Sequence, residues 1–94
     1  MIQVTEAHVA APVGRQGETY VIPVRSAPVG RKSGPMLPLP MIRYFVSVFL
    51  DHARRHPDDR FKVGVLGKPY KPAEIAPMFD NAPLNVYLPY EFQY

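Results

Sequence analysis

The stretch PMIRYFVSVFLDHARRHPDDRFKVGVLG, residues 40–67, decides the fold. Ile42, Phe45, Val46, Phe49 and Ala53 recur at helical spacing and predict a helix over 40–56 with one buried stripe. Met41, Tyr44 and Val48 widen its apolar surface, which predicts cover on more than one side. Pro40 suits the first turn, where its missing donor is not needed. Asp51 and Arg55, four apart, can pair on the solvent face. Arg54, Arg55 and His56 suit the negative end of the helix dipole, and Pro57 disfavours helical geometry at His56. After the turn Pro57-Asp58-Asp59, FKVGVLG (61–67) reads as a strand with Phe61, Val63 and Val65 on one face.

Working outward, Ile2 and Val4 have strand spacing, and the segment becomes mixed by Val9, which predicts a short edge strand. Pro12, Gly14 and Gly17 mark 11–18 as a turn or loop. TYVIPVR (19–25) alternates as a strand that ends at Pro23 or lies at an edge, because proline has no N–H to pair. Residues 26–40 hold four prolines and read as an extended surface connector; the Pro35-x-x-Pro38 spacing also fits a proline-rich ligand. AEIAPMFDNA (73–82) reads as a short helix with Ile75, Met78 and Phe79 inward, and NVYL (85–88) as the last strand. The expectation is one α/β domain over 1–94, with a sheet of about four strands and a strand–helix–strand–helix–strand C-terminal unit. Ligands in such sheets bind beyond the carboxyl ends of the strands, here at the loops after Val24 and Leu66.

Twelve prolines in 94 residues are more than twice the roughly 5% of ordinary chains. With 47% hydrophobic and 20% charged residues, the chain is nonetheless unlike a disordered one. The absence of cysteine excludes disulfides, thiolate zinc sites and a cysteine nucleophile. No apolar run approaches the roughly 18 residues of a membrane span, and MIQVTEAHVA lacks the basic start of a signal peptide. A cytoplasmic protein without a membrane partner is expected.

Motifs for chemistry are sparse. His52 and His56 have the i, i+4 spacing of metal ligands, but HARRH lacks the metalloprotease carboxylate, so they read as a surface pair. Ser26, Ser33 and Ser47 sit in no nucleophile elbow, and Asp58-Asp59 reads as a solvated turn. No cofactor motif is present. The loop 67–72, GKPYKP, is the candidate ligand site: Gly67, Lys68, Tyr70 and Lys71 leave a strand and feed a helix N-terminus. Pro69 and Pro72 remove two backbone donors from any phosphate cradle there.

The runs QGETYVIPVRS (16–26), FLDHARRHPDDRFKVGVLG (49–67), EIAPMF (74–79) and NAPLNVYLP (81–89) resemble, in this order, a family of uncharacterised bacterial and phage proteins. That family is distantly similar to macro domains, which bind ADP-ribose and related nucleotides through glycine-rich loops. The resemblance implies a truncated macro-like sheet. Only Gly67 and Tyr70 match the family's Gly-Cys-Gly-x-Ala-Gly-Tyr loop, and its N-terminal glycine-rich loop is missing. Glycine matters there because backbone must approach phosphate closely.

Two function classes follow. The first is a phage-related, non-enzymatic interaction protein that binds a host protein, as an anti-defence or regulatory inhibitor would. Its interface would use Tyr87, Tyr90, Phe92 and Tyr94, and a homo-oligomer is one form it could take. The second is a binder of a nucleotide or ADP-ribose-like ligand at 67–72. Nucleic acid is the weaker alternative, given a net charge of only +3.

Overall fold

The computed structural model describes every residue except 11, 32–33, 68–69 and 93–94. It is a small α/β domain with a five-stranded mixed sheet. The strands are β1 (Ile2–His8), β2 (Gly14–Gln16), β3 (Thr19–Arg25), β4 (Phe61–Val63) and β5 (Val86–Tyr87). The helices are α1 (Leu39–Arg55) and α2 (Pro72–Ile75), the latter continued by a 3-10 turn over Ala76–Phe79. The sheet order is β2-β3-β1-β4-β5. β3, β1, β4 and β5 are mutually parallel, and β2, which lies between β1 and β3 in the chain, is antiparallel to β3.

β1 is the central strand, not an edge. Its Ile2 and Val4 pack into the core while Gln3 and Thr5 face outward, and both of its backbone edges are paired. The region expected as a loop over 11–18 contains the fifth strand. A two-residue turn joins Gln16 to Thr19, with Gly17 at φ +61°, a conformation that glycine takes at no steric cost. Pro23 does not end β3. The β2 pairing stops at Gly14 opposite Val21, so the donor that Pro23 lacks falls past the last β2 residue.

α1 packs as the spacing requires. Ile42, Val46, Phe49 and Ala53 are fully buried, joined by Leu50 at 4% exposure. Burying each large apolar side chain contributes about 1.5–3 kcal/mol. Phe49 carries ring contacts to Tyr20 at 4.9 Å and Phe61 at 5.5 Å. The expected cover on other sides of α1 is not found: Met41, Tyr44 and Val48 remain 45%, 62% and 43% exposed.

Three elements are shorter than expected. The strand predicted over 61–67 ends at Val63, where its register with β1 ends opposite Val4. The second helix is α-helical only to Ile75, because Pro77 lacks the N–H that another α turn would use. The last strand is Val86–Tyr87.

The 26–40 connector is not merely superficial. Leu37 is buried, its N–H donates to the Val24 carbonyl at 2.9 Å, and Met36 bridges Arg25. Gly34 passes so close to the Ser26 and Ala27 carbonyl oxygens that no Cβ fits. Pro35 and Pro38 keep exposed rings, while their carbonyls accept from the Ser26 N–H and from the Met41 and Ile42 N–H groups.

Asn85 closes the other end. Its Nδ2 donates to the carbonyls of Ala53 (2.9 Å), His56 (3.0 Å) and Asp59 (3.0 Å). This side chain ties the end of α1 to the turn that enters β4. One cluster of buried apolar residues, including Phe79 and Phe92, forms the core. The result has two layers, with the helices on one face of the sheet.

Candidate functional site

The loop after Leu66 is stitched down by its own protein. The Gly67 N–H donates to Glu6 Oε2 at 2.7 Å, and the Tyr70 hydroxyl donates to the Leu37 carbonyl at 2.9 Å. Gly67 holds φ +83°, which suits glycine. The donor that would face a phosphate therefore already carries a carboxylate. Lys71 is exposed where α2 begins, and Lys68 lies outside the described residues. Gly67 and Tyr70 thus already direct these donors to acceptors within the chain.

A pocket of about 200 Å³ does open at the carboxyl edge, between β1 and β3. Glu6, His8, Val24, Arg25 and Gly34 line it, and neither Gly67 nor Tyr70 is among its described lining residues. The register jumps from Ala7 opposite Pro23 to His8 opposite Arg25, leaving Val24 as an extra residue. Such a bulge re-aims the side chains beyond it. His8 Nδ1 is buried there without a hydrogen-bond partner. One acid beside one base makes this a mixed-charge pocket rather than an anion cradle.

At the opposite edge, the histidine pair is not a plain surface pair. His52 is half-buried, 5.1 Å from the Tyr20 ring, 5.6 Å from Phe61 and 4.4 Å from His56. Burial, and then the charge of His56, hold His52 below the usual histidine pKa. The hydrogen bond from Arg15 at 3.0 Å holds Asp59 below the usual carboxylate range. No group of three or more metal-binding side chains gathers among the described residues. The Ser47 hydroxyl donates to the Tyr44 carbonyl.

The tail aromatics separate. Tyr87 and Tyr90 are 42% and 85% exposed. Phe92 is 2% exposed and stacks on Phe79 at 5.7 Å, so it is core and not interface. The reason is the 3-10 turn over Tyr90–Phe92, which carries Phe92 back onto the domain. Tyr94 lies outside the described residues.

Tyr87 belongs to a larger surface, the face of the sheet turned away from the helices. Cross-strand pairing sets Gln16, Thr19, Gln3, Lys62 and Tyr87 in one row, and Gly14, Val21 and Thr5 in the next. Gln3, Thr5, Lys62 and Tyr87 are exposed. Parallel strands are ordinarily covered on both faces. This bare face was not anticipated from the sequence, although the alternation Ile2-Gln3-Val4-Thr5 and Phe61-Lys62-Val63 carries its signal. Comparison with known proteins finds no matching family model, no matching curated protein and no matching solved structure. No described helix is long and apolar enough to cross a membrane.

Proposed function

We propose that the chain is a non-enzymatic interaction protein that binds another protein across its bare sheet face. The observation that carries this reading is the sheet face on which Gln3, Thr5, Lys62 and Tyr87 are exposed, centred on Thr5 and Lys62. A face whose two rows hold one charged residue, Lys62, presents little charge to desolvate, which favours a protein partner. Tyr87 supplies an aromatic anchor at its edge. The resemblance to bacterial and phage proteins frames that partner as a host protein, with inhibition of a defence or regulatory component as the outcome.

The competing nucleotide reading is weakened by the Glu6 carboxylate on the Gly67 N–H, which sets a negative charge where a phosphate would sit. Affinity capture from host lysate with the wild-type chain and with Thr5→Arg tests the proposal. A protein retained by the wild type and lost with Thr5→Arg, at unchanged melting temperature, supports it. Equal capture by both refutes it.

A further inference from the structure

We infer that the pocket at the carboxyl edge of β1 and β3 binds a small zwitterion, an α-amino acid with a short apolar side chain. Neither Thr5 nor Lys62 is among its described lining residues, so this site is separate from the sheet face and is tested separately. Position is the first observation. The pocket opens where two parallel strands end, which is where sheets of this class take small ligands.

The second observation is a wall of pinned backbone. The Val9 N–H donates to the Arg25 carbonyl, the Leu37 N–H to the Val24 carbonyl and the Ser26 N–H to the Pro35 carbonyl, each at 2.9 Å. Gly34 lies against the Ser26 and Ala27 carbonyls with no room for a Cβ. A pocket built from bonded backbone exists before its ligand arrives, so little ordering is lost on binding.

The third observation is the placing of charge. Glu6 pairs with Ile22 and His8 with Arg25, so Glu6 and Arg25 sit on adjacent strands, offset by two residues of β1. Strands about 4.8 Å apart and a rise of about 3.3 Å per residue set their Cα atoms about 8 Å apart. Glu6 Oε2 accepts from the Gly67 N–H at 2.7 Å, which fixes the carboxylate and leaves it acceptor capacity for an ammonium group. Arg25 Nη1 donates to the Gly34 carbonyl at 3.4 Å, and a guanidinium has donors enough to hold the protein and a ligand carboxylate together. His8 Nδ1 is buried without a hydrogen-bond partner. A proton there would be unsatisfied, so the neutral ring carries its proton on Nε2 and adds a donor beside Arg25.

These groups select the ligand. A plain carboxylate would meet Arg25 but face Glu6, and a plain amine would meet Glu6 but face Arg25. A molecule with both groups a few ångströms apart answers both. The volume of about 200 Å³ is the liquid share of about seven waters, which suits an amino acid of short side chain. Ala7, Val24 and Pro28 give that side chain an apolar wall.

Titration of the wild-type chain with L-valine, followed by backbone amide chemical shifts in NMR, tests this. Isovalerate (valine without its ammonium) and isobutylamine (valine without its carboxylate) are titrated beside it. Valine should shift the Ala7, His8, Val24 and Arg25 amides saturably, in the millimolar range. Each single-charge analogue should bind about tenfold more weakly or worse, the worth of one lost charge-assisted contact. Glu6→Gln, whose amide oxygen can still accept from the Gly67 N–H, should weaken valine by about the same factor. The analogues probe the same contacts on the unaltered chain, so the outcome does not hang on how the variant folds. No saturable shift with valine overturns the inference, as do shifts confined to residues away from the pocket. So does an analogue that binds as well as valine, or a folded Glu6→Gln that binds valine as the wild type does.

Discussion

Replacing Asn85 should separate a hydrogen-bond clamp from simple packing. Its Nδ2 faces three carbonyl oxygens at 2.9, 3.0 and 3.0 Å, from Ala53, His56 and Asp59. An amide nitrogen has two hydrogens, so at most two full bonds are made at once. Each net bond contributes about 0.5–1.5 kcal/mol, which puts the cost of Asn85→Ala at about 1–3 kcal/mol. For a domain of this size, 1 kcal/mol moves Tm by roughly 4–8 °C, giving a fall of roughly 4–24 °C. Asn85→Asp has nearly the same shape but only acceptors, and its carboxylate would face three carbonyl oxygens. It should therefore be less stable than Asn85→Ala at pH 7. The carbonyl cage should raise the folded pKa of that carboxyl above its unfolded value of about 3.9. The deficit of Asn85→Asp against the wild type should then narrow as pH falls through the raised folded pKa. Thermal and urea unfolding followed by circular dichroism give both numbers. Asn85→Asp equal to or more stable than Asn85→Ala at pH 7 would refute the clamp.

Three other outcomes are expected. Phe92→Ala should cost about 3–5 kcal/mol in urea unfolding, because Phe92 is core against Phe79; a loss below about 1 kcal/mol would return it to the surface. Gly34→Ala should lower Tm well beyond the effect of Gly64→Ala, since a Cβ at Gly34 meets two backbone carbonyls while one at Gly64 makes only an ordinary contact with the Val4 carbonyl at 3.9 Å; equal effects would count against the close crossing. Burial, before any neighbouring charge, holds His52 below the ordinary histidine value of about 6.5, so between its folded and unfolded values the unfolded chain binds more protons. Stability should fall as pH drops from about 7 to 5, and His52→Leu should flatten that fall. An unchanged slope in His52→Leu would sink the assignment.

Local chemistry in the sequence determined α1, the strand character of β1 and β3, and the inward residues Ile75, Met78 and Phe79. Helical spacing from Ile42 to Ala53 and the brackets Pro40 and Pro57 needed no distant partner to be read. The alternation around Val4 and Tyr20 likewise specified one dry face. Strand order was not legible, because pairing depends on which edges meet after the chain returns. β1 therefore reads as an edge and lies at the centre, whereas Pro23 reads as a stop or an unpaired side, and β3 takes the second course, continuing past the end of β2.

The same limit applied to the site. Gly67 and Tyr70 are recognisable as loop residues, but Glu6 lies 61 positions from Gly67, and only folding brings its carboxylate onto the loop N–H. The tail aromatics read as a strip packed on the domain or as an interface, and the Tyr90–Phe92 turn settles Phe92 on Phe79. The sequence by itself specified which side of each element is apolar, since that follows from spacing along a few residues. Only the tertiary structure decided that the helices gather on one face of a parallel sheet and leave Thr5 and Lys62 bare, because layer assignment depends on contacts between elements far apart in the chain.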